Sequence, residues 1–284
     1  ALPPTPIANA FAEKPDAAAA RYPVELMQCD DCGNVQMRHV LWGLFEDYKY
    51  VTPGSMHQRG VAQRLRQQFP KARRTLEIGS NNGALMAAMR AEGFECRGID
   101  PAAPSSPGHE RAYFTDEWAR QHNRKAEIVD LVVANNVFAH IDNLADVFRG
   151  IKRILAPDGA VVFEVQYLVD LIAGGTFDMI YHEHVNYHTL GALDKFLIEM
   201  GFVLTDWQHI PEHGGSIRVT AQRDGDRAMI PNEHLDWNKL ARRVEAVTRR
   251  LHHLLRGGGV VAFGASAKAC TLIHSTGIAK YISY

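Results

Sequence analysis

An α/β fold built on a doubly wound sheet is what the sequence predicts, and three observations carry that prediction. Thr75-Leu-Glu-Ile-Gly-Ser-Asn-Asn-Gly83 takes four residues of strand type into a turn bounded by glycines, and a helical pattern starts at once with Ala84, Leu85, Met86 and Met89. About twenty residues on, Cys96-Arg-Gly-Ile-Asp100 reads as a second strand that ends in a carboxylate. From there strands and helices alternate, the pattern of a mostly parallel sheet covered on both faces.

The first of these stretches is also the first candidate site. A strand that ends in Gly and feeds a helix leaves backbone N–H groups pointing outward with no chain to cover them. Glycines let a ligand approach that backbone, and Asn tolerates the unusual φ/ψ values of such a turn. In a nucleotide-binding α/β unit an acid at the place of Asp100 accepts hydrogen bonds from ribose hydroxyls. No Gly-Lys-Ser/Thr follows, so the stretch is no ATP or GTP phosphate loop, and the full G-x-G-x-x-G of dinucleotide enzymes is missing.

With 284 residues the chain has room for one large domain or two moderate ones. A net charge of −1 argues against a nucleic-acid binder that works by neutralising phosphates. No apolar run reaches the roughly 18 residues a membrane span needs, and no basic-then-apolar leader opens the chain. Four cysteines suggest neither a disulfide scaffold nor secretion, which makes the cytosol the expected compartment.

Residues 1–28, rich in Ala and Pro, read as an extended arm. Cys29-Asp-Asp-Cys32-Gly33 follows, a C-x-x-C-G knuckle of the kind that binds zinc through thiolates. A structural zinc takes four ligands, so this pair is half a site, and two reduced thiols in a tight turn is the alternative. Trp42, Phe45, Tyr48 and Tyr50 crowd the next stretch before a Thr-Pro-Gly turn. Trp42 and Phe45 are expected in a small core, whereas one side of the Tyr48/Tyr50 segment lines a cleft. Residues 55–70 look helical, with Val61, Leu65 and Phe69 on the apolar side.

After Asp100 a Pro/Ser/Gly loop leads to a short helix around Glu117. Residues 128–134 form a buried strand ending in Asn135-Asn-Val-Phe-Ala-His140. A helix over 144–155 stops at Pro157-Asp-Gly159, and 161–165 is the next strand. Ligands of such sheets sit at the carboxyl ends of the strands, and Gly79, Asp100, Asn135 and Gln166 all fall there.

Phe177-Asp-Met-Ile-Tyr181-His-Glu-His184-Val-Asn-Tyr-His188 packs three imidazoles, a carboxylate and two phenols into its last eight residues. Three readings stay open: a divalent-metal site from His182 and His184 with Glu183 or His188, a polar surface loop, or a proton-transfer cluster beside the cofactor, which His140 joins in space. A helix over 190–200 ends at Gly201. Residues 202–207 and 216–221 pair as the last strands around Pro211-Glu-His213-Gly214-Gly215-Ser216, either a plain hairpin loop or a substrate-facing one. A long polar helix over 233–256 leads to Gly257-Gly-Gly-Val-Val-Ala-Phe-Gly264-Ala-Ser-Ala-Lys268, a second strand–Gly–helix unit suited to an anion, with Lys268 adding a point charge. A lone strand–helix–strand cannot bury both faces of a sheet, so this unit packs on the first domain or continues further.

Glu77-x-Gly79-x-x-x-Gly83 resembles the first motif of class I S-adenosylmethionine methyltransferases, with their Rossmann-like core. Those enzymes place an acid at the position of Glu77 near the cofactor crevice and bond the ribose through the acid at Asp100. A longer series is more specific: Cys29-x-x-Cys32-Gly33 with Val35-Gln36, Glu77-Ile-Gly-x-Asn-x-Gly83, Asn136-Val-x-x-His140-Ile, Phe177-Asp-x-Ile-Tyr-x-Glu-His184, His213-Gly-Gly and Gly264-Ala-x-Ala-Lys268 occur in this order. The series resembles the C-methyltransferases that methylate C3 of nucleotide-linked 4-keto-deoxysugars. Two departures stand out: that family has another C-x-x-C ahead of Cys29, and it continues past residue 284 into a complete C-terminal α/β domain.

The resemblance implies S-adenosylmethionine as cofactor, with zinc as a second group if Cys29 and Cys32 find partners, and a nucleotide-linked keto sugar as the partner molecule. It implies cofactor contacts from Glu77, Gly79, Ser80, Asn81, Gly83, Asp100, Asn135, Asn136 and Gln166, and substrate contacts from His213, Gly214, Gly215 and Lys268. His184 is implied as the base, oriented by Glu183. Tyr181 and His140 are candidates for bonding the keto or enolate oxygen, and Tyr50 helps close the pocket. The expected organisation is an arm and C-x-x-C subdomain over 1–54, a methyltransferase domain over 55–226, and a linker helix with a partial α/β unit over 227–284. An O- or N-methyltransferase on the same scaffold and an inactive nucleotide-binding module are the alternatives.

Overall fold

The computed structural model describes residues 1–9, 19–45, 56–104, 106–122, 128–262, 264 and 266–283. Near the N-terminus, β1 (Leu2–Thr5) pairs antiparallel with β2 (Tyr22–Val24). β3 (Leu26–Gln28) pairs with β4 (Val35–Met37), and the C-x-x-C turn lies between them. The arm expected over 1–28 is therefore partly stranded. Val24, Val35 and Met37 are buried, and that burial is what offsets the entropy of ordering such short strands.

The central sheet follows. α1 (Met56–Gln68), β5 (Arg74–Ile78), α2 (Ala84–Ala91), β6 (Glu95–Ile99), β7 (His109–Glu110), α3 (Asp116–Gln121), β8 (Val129–Asn135), α4 (Leu144–Ile154) and β9 (Leu155–Gln166) make its parallel half. α5 (Leu168–Gly174), α6 (Leu190–Met200), β11 (Val203–Ile210) and β12 (Ser216–Gln222) complete it, with β12 antiparallel between β9 and β11, while β10 (Asn186–Tyr187) leaves the central sheet. The strand order is β11-β12-β9-β8-β5-β6-β7. Chain direction across the sheet reverses beside β5, which pairs with β6 on one side and β8 on the other. That switch point is where a doubly wound sheet opens a crevice.

Strand alternation divides the sheet's two faces. In β8, Leu131 and Val133 pack with Val61 and Leu65 of α1 and Leu85, Met86 and Met89 of α2. Val132 and Ala134 point the other way, into a core with Phe148 and Ile151 of α4, Leu193 and Leu197 of α6, and Phe138, Phe163 and Phe202. Period-two side chains on a strand covered by helices on both faces give the continuous apolar run the sequence shows. α4 starts where the Asn143 side chain accepts the Asp146 N–H at 3.1 Å, and α6 ends at Gly201 with φ 78°.

Two expectations need correction. β9 begins at Leu155 and runs through Pro157-Asp-Gly159, because Leu155 already pairs with Val129 and a register shift absorbs the turn residues. The second strand–Gly–helix unit is a helix without its strand: residues 257–262 are largely exposed, and of them only Val260 makes a bridge, to Ile282. Among the described residues the run is held to its neighbour by that one bridge, too little pairing to build a strand. The helix is real. α8 (Ala267–Thr276), after α7 (Trp237–Leu254), is capped by Ser266, whose side chain accepts the Ala269 N–H. α8 packs on β1 and on the 3-10 turn Phe177–Met179. β10 pairs with β4, so one small sheet joins the N-terminal strands to the segment after β9.

Candidate active site

The glycine turn after β5 is held from the next strand. Gly79 N–H donates to Ile99 O at 2.8 Å, and Asn81 N–H donates to Asp100 Oδ2 at 2.9 Å. Asn81 is left-handed, with φ 44°, which an Asn tolerates better than most side chains. At Gly79, φ is 70° and a Cβ would overlap the Val137 methyls, so both the backbone conformation and the approach of the next loop require glycine. Gly83 is the N-cap of α2.

Above this turn lies a cavity of about 1200 Å³. Its donor-side wall carries Glu77, Gly79, Ser80, Asn81 and Asp100 from the β5 and β6 ends, and Asn135, Asn136 and Gln166 from the β8 and β9 ends. The same cavity is lined by His140, Tyr181, His184, His213 and Lys268. Gly83, Glu183, Gly214 and Gly215 stand off these walls, and Tyr50 lies outside the described residues.

Several polar atoms on the donor side are buried without a partner among the described residues: Glu77 Oε2, Ser80 Oγ, Asn135 Oδ1 and both amide atoms of Gln166. Burial pushes the Glu77 carboxyl well up, against one backbone N–H from Met86 and with the Asp100 charge adding to the shift. Leaving such groups unpaired is expensive, so their convergence fits a ligand rich in donors and acceptors. A zwitterionic amino-acid end joined to a nucleoside, as in S-adenosylmethionine, matches this set. Asp100 has one lone pair on each oxygen committed, to Asn81 and to Ala102, and further lone pairs for a ribose.

The histidine stretch is buried, which sets aside the surface-loop reading. His184 Nδ1–H donates to Met179 O at 2.9 Å, and Nε2 accepts the Tyr181 hydroxyl, also at 2.9 Å. Burial, and then the neighbouring His140, hold its pKa well below the ordinary imidazole value, so the ring is neutral at pH 7. The two histidine rings lie 5.0 Å apart, and His140 Nδ1–H donates to Glu183 O at 2.6 Å.

The Glu183 carboxylate does not orient His184. Its Oε1 accepts the Asn9 amide at 2.7 Å, and the His184 Nδ1–H is taken by the backbone carbonyl of Met179, which does the orienting. The metal reading of this stretch fails for the same reason. His182 turns to Tyr22 O, His184 to Met179 O, and His188 to Phe138 O. No group of three or more His, Cys, Asp or Glu side chains able to hold a metal occurs among the described residues. Cys29 and Cys32 are free thiols in an exposed turn.

A second polar cluster meets the cavity beside His213. Glu164, fully buried in β9, accepts Arg218 Nε–H at 2.8 Å and His57 Nε2–H at 2.7 Å. Burial pushes the Glu164 carboxyl up, but the His57 hydrogen bond and the Arg218 charge outweigh it and hold the pKa below the ordinary value. Nothing local marks His57, one residue into a helix. Glu164 carries a signal, because a carboxylate inside an apolar strand needs a buried partner, and Arg218 in the next antiparallel strand supplies it. Trp42 also lines the cavity yet stays 78% exposed, against the expectation of a core residue.

A family model described as a methyltransferase domain matches residues 56–206. The chain is 31% identical over 311 residues to the C-methyltransferase NovU of Streptomyces niveus, covering 96% of this chain and 74% of that protein. Among solved structures, it is similar to 1,6-didemethyltoxoflavin-N1-methyltransferase of Burkholderia thailandensis with S-adenosylhomocysteine bound, at TM-score 0.46 and 16% identity over 58% of this chain and 77% of that one. A second similar structure, an S-adenosylmethionine-dependent methyltransferase of Archaeoglobus fulgidus, has TM-score 0.45 and 16% identity over 58% of this chain and 93% of that one.

Proposed function

Because the chain belongs to the methyltransferase-domain family, as an S-adenosylmethionine-dependent enzyme of Rossmann-like fold related to NovU-like C-methyltransferases and acting on a small-molecule acceptor, we propose that its acceptor is a nucleotide-linked 4-keto-deoxysugar methylated at C3. The observation that supports this most is the hydrogen-bonded pair of half-buried Tyr181 and buried His184, which lines the same cavity as the donor residues. Hydroxyls and amines are nucleophilic as they stand. A carbon beside a carbonyl needs a base and a donor for the enolate oxygen, and this pair supplies both chemistries.

In this reading Glu77, Ser80, Asp100, Asn135 and Gln166 hold S-adenosylmethionine, which supplies an electrophilic methyl group. His184 is the base. With Nδ1–H fixed on Met179 O, its lone pair sits on Nε2, where the Tyr181 hydroxyl caps it. When the acceptor enters, the C3 proton passes to Nε2 and the electron pair of the broken C–H bond moves into the enolate. Tyr181 turns its O–H from Nε2 to the enolate oxygen, with His140 beside it as the second polar ring. Glu183, anchored by Asn9, acts at one remove by keeping the stretch in place. His213 and Lys268 flank the acceptor's charged end.

Deuterium exchange tests the proposal. Enzyme with a 4-keto sugar nucleotide in deuterated buffer should exchange the C3 hydrogen, and adding the methyl donor should give a C-methylated sugar by mass spectrometry. Methyl transfer to oxygen or nitrogen without C3 exchange would overturn the carbon-acceptor reading.

A further inference from the structure

His57 takes no part in the chemistry above, yet it meets carboxylates through both ring nitrogens. Nε2 lies 2.7 Å from Glu164 Oε2 and Nδ1 lies 2.8 Å from Glu212 Oε1. A neutral imidazole has one N–H and one lone pair. A lone pair that close to a carboxylate oxygen is repelled, so the geometry is satisfied by the imidazolium, which donates to both. Glu164 is fixed in β9 by Arg218. Glu212 belongs to the turn between β11 and β12 that carries His213 to the cavity wall.

That turn is costly to maintain. Gly214 (φ 85°) and Gly215 (φ 120°) take positive φ readily because they lack a Cβ, but His213 (φ 56°) beside them does not. A non-glycine residue held there persists only where its surroundings over-determine it. Gly215 N–H and the Ser216 hydroxyl donate to Glu212 O, and Tyr167 N–H donates to Gly215 O, but these act on the turn's backbone. Among the described residues, the side-chain link from the turn to the body of the sheet at Glu212 is His57, and the other carboxylate oxygen, Oε2, has no partner.

We propose that the His57 imidazolium is a latch that seats the Glu212–Ser216 turn, and with it His213, against the acceptor end of the cavity, and that the turn is released when His57 loses its proton. His57 is thus a positioning residue for acceptor binding, and the assignment of that end of the cavity rests on the function proposed above. The groups that face the latch are Glu164 on β9, Glu212 in the turn, Arg218 on β12 and His213, with Lys268 of α8 acting on His213. The Glu164 hydrogen bond raises the His57 pKa, burial opposes it, the Glu164 and Glu212 charges add to the rise, and Arg218 subtracts. A raised imidazole pKa means the latch is fully formed below about pH 6.5 and opens as pH climbs through the higher folded-state value.

Hydrogen–deuterium exchange of peptides covering the turn, on the protein alone from about pH 6 to about pH 9 and corrected for intrinsic rates, tests the latch. In wild type, protection should fall about tenfold across that range, the scale of one charge-assisted hydrogen bond. In Glu212→Gln the amide can donate to the lone pair of a neutral Nδ1, so protection should persist at high pH. In His57→Leu it should be low at every pH, with the thermal transition confirming a folded protein. Wild-type protection that does not change with pH, or a Glu212→Gln protein that follows wild type, overturns the latch. No acceptor is present, so this result is independent of the acceptor's identity. A pH-dependent turn combined with an acceptor KM that stays flat with pH overturns its link to the acceptor.

Discussion

Tyr181 and His184, three residues apart, face each other with ring centroids 4.2 Å apart and a 2.9 Å hydrogen bond from phenol to Nε2. The phenol therefore occupies the position from which a base would reach a substrate, and the proton acceptor is masked until something displaces it. His184→Asn should lower kcat by roughly 10²–10⁴-fold, the range of a lost general base. Binding of S-adenosylhomocysteine by calorimetry should stay within about twofold of wild type, because His184 belongs to the histidine stretch and not to the strand ends that carry Glu77, Asp100 and Asn135. A fully active variant would remove His184 from the chemistry. Tyr181→Phe should leave C3 exchange measurable while slowing product formation, since it unmasks the base and takes away the enolate's donor.

The pH profile follows from the same pair. His184 titrates well below the ordinary imidazole value because it is buried beside His140. The neutral base is present above that depressed pKa, so kcat should be level through neutral pH and fall only as pH drops well below about 6.5. An acid limb centred near or above pH 7 would not fit a base in this environment.

His188 gives a matching stability prediction. Burial holds its pKa at about 4, and the ring is neutral in the folded protein. The unfolded chain binds the proton more readily, so the contribution is present above about pH 6.5 and is lost as pH falls toward the folded-state value, roughly 3 kcal/mol in full. Thermal unfolding followed from pH 7 downward should show a falling Tm, and His188→Asn should flatten that slope.

Gly79→Ala places a methyl against Val137 in backbone that resists a side chain. It should destabilise by ~1–3 kcal/mol and abolish micromolar donor binding. The double variant Gly79→Ala/Val137→Ala should recover part of the stability but not all, because the positive φ remains. Full recovery would show that steric crowding alone was responsible.

Cysteine reactivity should separate the two sulfur environments. Backbone N–H groups of Cys32 and Asp31 lower the Cys29 pKa in an exposed turn, whereas burial pushes the Cys96 thiol up to about 12. Iodoacetamide followed by mass spectrometry should label Cys29 early and Cys96 last. Protection of Cys29 that disappears on treatment with a chelator would reveal a bound metal.

The donor half of the site was legible because it is local. Glu77 to Gly83 is one strand–turn–helix, and Asp100, Asn135 and Gln166 each end a strand that the apolar pattern already located. The acceptor half depends on distant pairs: Asn9 with Glu183, His57 with Glu164 and Glu212, Thr271 with the Ile180 carbonyl. No periodicity encodes those. The His182, Glu183 and His184 side chains fan out to three different partners, so proximity in sequence suggested a metal cluster where space provides none. The Gly257–Gly264 run carries strand composition but, among its described residues, pairs only at the Val260–Ile282 bridge, and composition alone does not make a ladder. Pro157 failed as a stop for the opposite reason, since Leu155 before it was already paired.

The hydrogen bond from Thr271 Oγ1 to Ile180 O, at 2.9 Å, reaches beyond local packing. Together with Asn9, it clamps the segment holding Tyr181 and His184 from both ends of the chain. During synthesis the donor crevice has all its strands once β9 has emerged, but the acceptor wall waits for α8, about a hundred residues later at the ribosome's pace of roughly 5–20 residues per second. A nascent chain thus passes through an interval in which it can grip the methyl donor without a finished place to use it. Fragments ending before Thr271 should resemble that interval: competent to bind, and silent in transfer.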